Sequence, residues 1–305
     1  MNNDKNIFYA GDGVLVQKRG RGRPPGTFKK PQHQQHLPEI VDFSNLGKLN
    51  QLDIPHRMME TMKSGLKLDM LISHEGGTPC ATNIMFTGDP GIGKTTVMLD
   101  YLSAIQHHEG RKCLFISGEM GKKQMFKYTQ RFPQFGIITT LFTSDYTDHN
   151  TKDVIEQVMN IGWDMVLIDS IAEVIDDVRE DMDWSRKQAE GWLVDVCKQN
   201  NDGENEGEKY TSFMLIQQVT KGGVFVGSNK LRHLLDAQCE MKRHSTRDGG
   251  GSYIKFTKNR NGNVGDEMPF DIGSRVINYG VVRIVEEITP NEEIPFTVIE
   301  PHFEE

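Results

Sequence analysis

Apolar residues along the chain alternate between short continuous runs and stretches with helical spacing. The continuous runs have the length of buried strands and lie at residues 81–87, 112–117, 137–142, 166–169 and 211–218. The helical patterns lie at residues 96–102, 122–131, 151–160 and 184–199. Shorter runs at residues 238–242, 251–258, 267–271 and 281–287 predict hairpins. Together these patterns predict an α/β domain that ends in hairpins.

Three further segments have less regular patterns. Residues 55–71 carry methionine and leucine at helical spacing and predict an amphipathic helix. Residues 171–183 are acidic and predict a loop, and the polar residues 200–209 predict a flexible insertion.

The two ends of the chain differ from this domain in composition and charge. Residues 1–40 lack periodic apolar positions and are rich in Gly, Pro, Gln and Lys/Arg, so we expect a disordered basic arm. Its first 30 residues carry seven Lys or Arg and two Asp, a net charge of +5, against −8 for the whole chain. We therefore place the domain at residues 41–288, followed by an acidic tail at 289–305. A basic arm on an acidic body favours contact with nucleic acid.

One segment of the arm resembles an AT-hook, whose R-G-R-P core stands at residues 21–24. In that family the core lies in the narrow minor groove of A·T-rich DNA, where the negative potential attracts arginine. Arg21 and Arg23 are therefore candidate DNA contacts. Because the motif is short, a solubilising or non-specific basic tail is an equal alternative.

Residues 88–95 match the phosphate-binding pattern G-x-x-x-x-G-K-[ST] in full, between a predicted strand and a predicted helix. The glycines let consecutive N–H groups point at an anion, at the positive end of a helix dipole. Lys94 can reach the β- and γ-phosphates, and the Thr95 hydroxyl can ligate Mg²⁺. The predicted nucleoside triphosphate site consists of Gly88, Asp89, Pro90, Gly91, Ile92, Gly93, Lys94, Thr95 and Thr96.

Two carboxylates follow predicted core strands. Asp169 ends an apolar run some 75 residues after the phosphate-binding pattern, as a Walker B aspartate does, and can hold Mg²⁺ or its bound water. Glu119 comes just after the strand at 112–117, at the sheet edge where α/β folds place ligands. For Glu119 the alternative is a solvated charge at the end of a strand.

Five motifs in the same order resemble those of RecA-type ATPases, and in particular the core of the DNA-repair ATPase family RadA (Sms). They are the phosphate-binding pattern, I-S-G-E at 116–119, V-L-I-D-S-I at 166–171, V-T-K-G-G at 219–223 and T-K-N-R-N-G at 257–262. The resemblance implies an α/β, RecA-like P-loop NTPase core, with a mostly parallel sheet flanked by helices and with C-terminal antiparallel hairpins. Q-Q at 217–218 and K-N-R-N-G also resemble DnaB-type replicative helicases. The short core is similar to bacteriophage-encoded versions.

The resemblance also implies a role for each matching residue. Glu119 would polarise the attacking water, and Gln218 would sense the γ-phosphate. Lys258 and Arg260 would reach a neighbouring subunit's nucleotide, as an arginine finger does. For these two residues the alternative is ordinary charge on a hairpin. The residues matched to catalytic positions are Glu119, Lys94, Gln218, Lys258 and Arg260, and those matched to the metal are Thr95 and Asp169.

These matches predict a DNA-dependent ATPase of recombination or repair that uses ATP and Mg²⁺ on single-stranded or branched DNA. Because residues 171–183 are acidic where RecA-type proteins often touch DNA, the remaining candidate contacts besides the arm are Lys221, Lys230 and Arg232. We expect a cytoplasmic homo-oligomer, either a hexameric ring or a filament. We expect no membrane partner, since no apolar run approaches the ~20 residues of a span. The alternatives are a DnaB-type helicase motor and a nucleotide-gated DNA-binding module with little turnover.

Overall fold

The computed structural model describes residues 53–218, 229–245 and 250–283, together with the backbone of two short strands near the amino terminus. These strands, β1 (Ile7–Tyr9) and β2 (Leu15–Gln17), pair antiparallel within the segment for which the sequence predicts no regular structure. The chain divides into two compact units, Met1–Leu52 and Asp53–Glu305. The AT-hook-like core at 21–24 and the predicted acidic tail lie outside the described residues.

The prediction of one helix over residues 55–71 is wrong. This part of the chain instead holds a 3₁₀ turn at His56–Met59, then β3 (Thr61–Met62), α1 (Asp69–Ile72) and β4 (Thr78–Pro79), which pairs with β3. Gly65 has a φ of +76° between β3 and α1, a conformation that interrupts a helix. The apolar side chains are buried all the same, because they pack into the core beside the sheet: Met62, Leu68, Leu71 and Ile72.

A nine-stranded sheet forms the centre of the second unit. Its parallel strands are β5 (Asn83–Gly88), β6 (Cys113–Ser117), β7 (Thr139–Phe142), β8 (Met165–Asp169), β9 (Ser212–Gln218) and β10 (Ala237–Arg243). Its antiparallel strands are β11 (Ser252–Asn259), β12 (Glu267–Ile272) and β13 (Ile277–Tyr279). The spatial order is β13-β12-β11-β10-β5-β9-β8-β6-β7. The predicted α/β class, with a mostly parallel sheet and C-terminal antiparallel strands, is confirmed.

Helices cover both faces of the parallel strands. They are α2 (Lys94–Glu109), α3 (Lys122–Arg131), α4 (Thr151–Asn160), α5 (Ile171–Met182), α6 (Arg186–Asn201) and α7 (Asn229–Leu234). One core cluster joins α2 to Phe86 of β5. A second cluster joins α4, α5 and α6 to Met85, which points to the opposite face of the same strand. Within the described residues, no helix has the length and apolar character needed to cross a membrane.

The acidic residues 171–183 form α5 instead of the predicted loop. The helix begins where the Ser170 hydroxyl accepts a hydrogen bond from the backbone N–H of Glu173, at 3.4 Å. One stripe of the helix is fully buried and consists of Ile171, Val174, Ile175 and Val178. The acidic residues take the outer face of an amphipathic helix, and their density conceals the apolar spacing in the sequence.

A buried carboxylate holds the turn before α1 in place. Asp69 accepts hydrogen bonds from the Ser64 backbone N–H at 3.0 Å, the Ser64 hydroxyl at 2.7 Å and the Gly65 N–H at 2.9 Å. The hydroxyl of the fully buried Tyr101 on α2 donates to the same carboxylate at 2.9 Å. Asp69 therefore accepts the hydrogen bonds that the turn donates and links the turn to α2 through Tyr101.

Replacing Asp69 with Ala leaves these buried donors without an acceptor, so we expect a loss of about 3 kcal/mol in the free energy of unfolding. Urea unfolding followed by circular dichroism measures the loss. Asp53→Ala is the matched control, because Asp53 is exposed at the start of the same segment. Equal stability of the two variants would contradict the structural role of Asp69.

Candidate nucleotide-binding and catalytic site

The phosphate loop, residues 88–95, joins β5 to α2 at the carboxyl edge of the parallel strands. The helix begins at Lys94, directly after Gly93, whose φ of +105° is in the left-handed region. The N–H groups in the first turn of α2 have no intrahelical acceptor, so this end of the helix can receive an anion. The strand–loop–helix context predicted for the motif is confirmed.

Lys94 is buried inside the loop. Its ammonium donates to the carbonyl oxygens of Gly88 at 2.8 Å and Asp89 at 3.1 Å. Burial lowers the pKa of Lys94, while the nearby charges of Asp169 and Glu119 act in the opposite direction. The loop thus holds a cation that it has already taken out of bulk water, next to the N–H groups of α2.

Thr95 contacts Asp169, the last residue of β8, through a hydrogen bond from its hydroxyl to the carboxylate. Burial raises the pKa of Asp169 to about 6; the Thr95 hydrogen bond lowers it, and the Glu119 charge raises it. A hydroxyl and a carboxylate oxygen are ligands that suit Mg²⁺. The donor set at this point therefore fits the metal expected from the sequence.

Glu119 lies beside Asp169. The backbone N–H groups of Gly118 and Glu119 donate to the Asp169 carbonyl oxygen at 2.9 and 3.3 Å, which fixes the turn after β6 against the end of β8. The Glu119 side chain is exposed and lines the same cavity as Lys94 and Thr95. The structure therefore brings the carboxylate predicted to polarise water to the phosphate loop.

A cavity of about 770 Å³ opens over the loop. Besides the predicted residues, its walls include side chains from four other elements, which are Tyr128 and Arg131 on α3, Arg243 at the end of β10, Ser252 on β11, and Phe270, Asp271 and Ile272 on β12. We call Tyr128, Phe270 and Ile272 the nucleoside wall, because they supply apolar and aromatic surface next to the loop. The sequence carries no motif for this wall, since its residues come from α3 and β12, which only the tertiary structure brings next to the loop.

Lys258 and Arg260 lie at the other edge of the sheet. Lys258 lies at the end of β11, which runs antiparallel to β10, and Arg260 follows it. Between them, Asn259 pairs with Ala237, which lies opposite Ile84 at the start of β5. Four residues of strand, about 13 Å, separate Ile84 from Gly88. The Lys258 ammonium donates to the Leu235 carbonyl, and Arg260 forms an ion pair with Asp236 at 3.1 Å. Neither residue lines the cavity of its own chain.

The remaining predicted residues are located only in part. Gln218 is the last residue of β9, and its backbone lies next to Gly88 in the parallel register. Lys230 and Arg232 are exposed on α7 and do not line the cavity. Lys221, Arg21 and Arg23 lie outside the described residues.

A family model described as "ATPase: KaiC" matches residues 62–143, which contain the phosphate loop and the turn at Glu119. These residues are therefore similar to a KaiC-type ATPase domain, and the sheet that contains them has the predicted RecA-like architecture. The predicted ATP-hydrolysing P-loop NTPase is thereby confirmed.

Curated relatives named "DNA repair protein RadA" match a longer part of the chain. The protein of Rickettsia prowazekii is 28% identical over 214 residues, which are 68% of this chain and 44% of the relative. That of Aquifex aeolicus is 24% identical over 236 residues, 75% of this chain and 48% of the relative. The chain thus spans less than half the length of these two relatives.

Solved structures share the fold. A KaiC-like protein from Pyrococcus horikoshii OT3 superposes with a TM-score of 0.57 at 20% identity, covering 74% of this chain and all of that one. The flagellar accessory protein FlaH from Methanocaldococcus jannaschii gives 0.53 at 13% identity, with the same coverage. At such identities the likeness concerns the architecture alone.

Gly88 is the position in the loop where the backbones of two strands approach most closely. A Cβ at Gly88 would lie 2.4 Å from the Met241 carbonyl oxygen of β10, and the residue has a φ of +155°. We therefore expect Gly88→Ala to push β5 and β10 apart, with a loss of about 3 kcal/mol in stability and weaker ATP binding.

Thermal unfolding with and without ATP measures both effects. Gly191→Ala is the control, because Gly191 lies within α6 and a Cβ there meets no atom within 4 Å. The control should be neutral or more stable by up to about 1 kcal/mol. A Gly88→Ala protein with unchanged melting and ATP binding would show that the strands tolerate the added methyl group.

Proposed function

We propose that the chain is a DNA-dependent ATPase of the RadA and RecA kind, acting in recombination or repair on single-stranded or branched DNA. The similarity to DNA repair proteins named RadA supports the DNA substrate. The observation that carries the proposal is the division of the predicted catalytic residues between two edges of the sheet. Lys94, Thr95, Glu119 and Asp169 meet at one edge, and Lys258 and Arg260 lie at the other.

The residues at the loop would prepare the γ-phosphate for attack. Thr95 and Asp169 would hold Mg²⁺, which neutralises charge on the phosphate oxygens when bound. Lys94 would bind the β- and γ-phosphates from within the loop, where two carbonyls already orient its ammonium. Glu119 would orient the attacking water and accept its proton.

The residues at the far edge would complete a neighbour's site. Lys258 and Arg260 are out of reach of the loop in their own chain, so a role at the phosphates requires a second copy. In a head-to-tail assembly, the far edge of one copy faces the loop edge of the next, and such a heterologous contact closes into a ring or extends into a filament. This is the assembly that we propose for the active state.

DNA would contact α7 and not α5. The outer face of α5 is acidic and repels a phosphate backbone, whereas α7 exposes Lys230 and Arg232. Ten residues connect α7 to Gln218 at the end of β9. Gln218 would transmit the state of the γ-phosphate to this surface, and the basic arm would add non-specific attraction.

Two other functions fit parts of the sequence. A DnaB-type helicase motor is favoured by the Q-Q and K-N-R-N-G motifs, and strand displacement from a forked DNA substrate would distinguish it from a repair ATPase. A nucleotide-gated binding module would not need a carboxylate at the water position, and Glu119 lines the cavity. We therefore rank the module below the two motors.

ATP hydrolysis should rise when single-stranded DNA is added. Lys94→Ala should abolish ATP binding or turnover, while Glu119→Gln should retain ATP binding and lose about a hundredfold or more in rate. Phosphate release and ATP binding, each with and without DNA, measure these effects. Lys187→Ala, an exposed cation on α6, is the control and should behave as wild type. Equal loss of ATP affinity in the Lys94 and Glu119 variants would remove the catalytic role of Glu119, and a rate indifferent to DNA would remove the DNA dependence.

Mixtures of two inactive variants test the shared site. Arg260→Ala should bind ATP but lose roughly 10³-fold or more in turnover, the scale of a missing arginine finger. Mixed with Lys94→Ala, it should regain activity, because some interfaces pair an intact loop with an intact Arg260. The rate is measured across mixing ratios, with sedimentation to monitor assembly. If no ratio exceeds the two parents, or if a monomer hydrolyses ATP at the full rate, Arg260 does not act in trans.

A further inference from the structure

Arg243 is a cation of the nucleotide cavity that no motif predicts. It is the last residue of β10, two positions beyond Met241, which pairs with Gly88 at the start of the phosphate loop. Two residues of strand extend about 7 Å, so Arg243 stands past the sheet edge, alongside the loop. It lines the same cavity as Lys94 and Thr95.

The alternation of β10 determines the direction of Arg243. Cys239 and Met241 are buried in the core cluster that contains α2, so the residue two positions further on faces the same side of the sheet. The intervening Lys242 faces the opposite side and forms an ion pair with Glu240 at 2.5 Å. Of these two adjacent cations, only Arg243 is directed to the side of the loop and α2.

Within the described residues, Arg243 differs from the other cavity cations in its hydrogen bonds. The Lys94 ammonium donates to two carbonyls of the loop, and the Arg131 guanidinium donates to the carbonyls of Gly273 at 2.8 Å and Ser274 at 3.2 Å. Within residues 53–218, 229–245 and 250–283, no carboxylate forms an ion pair with Arg243. Arg243 is exposed and lines the cavity, so its donors can meet a phosphate there.

The strand order indicates which phosphates Arg243 would meet. Glu119 and Asp169 come from β6 and β8, on one side of β5, and β10 lies on the other side, towards Phe270 and Ile272 of the nucleoside wall. A nucleoside triphosphate with its nucleoside at this wall and its γ-phosphate at the two carboxylates would have its α- and β-phosphates next to Arg243. A guanidinium suits this position, because it donates two parallel hydrogen bonds to phosphate oxygens.

We propose that Arg243 binds the non-transferred α- and β-phosphates of the nucleotide in its own subunit. The proposal rests on the nucleotide site alone and not on DNA as the substrate. Arg243 thus acts as a positioning residue that retains ADP as well as ATP. Arg243 at the α- and β-phosphates and Lys94 at the β- and γ-phosphates would then both come from one chain, and a neighbouring subunit would not be needed for these contacts.

The test is the affinity of the full-length protein for a fluorescent ADP analogue in the presence of Mg²⁺. Arg243→Ala should weaken ADP binding roughly tenfold, the scale of one lost charge-assisted hydrogen bond, and Arg243→Lys should restore part of it. In steady-state hydrolysis, the KM for ATP should rise by a similar factor while kcat stays close to wild type, because the contact exists before and after phosphoryl transfer.

Lys242→Ala is the matched control, since it removes the adjacent cation from the other face of β10 and should leave ADP affinity unchanged. Thermal melting confirms that each variant folds. If Arg243→Ala has a lower melting temperature than the wild type, Arg243→Gln serves as a second uncharged replacement. Unchanged ADP affinity in the Arg243 variants overturns the proposal, as does an equal loss in Lys242→Ala. A fall in kcat with intact ADP binding overturns it too, since Arg243 would then act on the γ-phosphate.

Discussion

The candidate site depends on the register of three neighbouring parallel strands. β5 pairs with β9, and β9 pairs with β8, so that Gly88, Gln218 and Asp169 all arrive at the same sheet edge. The hydrogen bond from Thr95 to Asp169 is possible only because the loop after β5 and the end of β8 meet there. A shift of one residue in either pair would turn the side chains of that strand to the opposite face. The chemistry of the loop is therefore a consequence of sheet pairing.

The directions of the strands also decide at which end of the sheet each predicted site residue lies. Parallel strands deliver their carboxyl ends to the loop edge, whereas the antiparallel β11 runs back and carries Lys258 and Arg260 to the far edge. The chain thus has a phosphate loop at one end of the sheet and, at the other, two cations already oriented by the Leu235 carbonyl and Asp236. This polarity is what a head-to-tail assembly with shared sites needs.

Charge is distributed within the domain in a way that the overall value of −8 does not reveal. The acidic residues of α5 lie on an amphipathic helix outside the cavity, and their buried stripe packs against the sheet. The cavity itself mixes Lys94, Arg131 and Arg243 with Glu119, Asp169 and Asp271. An anionic nucleotide therefore meets local cations in spite of the acidic surface.

The sequence by itself determined the phosphate loop, the core strands and the two carboxylates, because each is a local pattern that requires only its own strand, turn or helix. Tertiary structure decided which residues share a cavity. Arg243, Phe270 and Ile272 come from strands 140 or more residues after the loop, and only the position of β10 and β12 in the sheet brings them to it. The helix predicted at 55–71 failed because Asp69 and Gly65 favour a turn that spacing does not reveal. The loop predicted at 171–183 failed because burial against the sheet outweighs the acidic composition of α5.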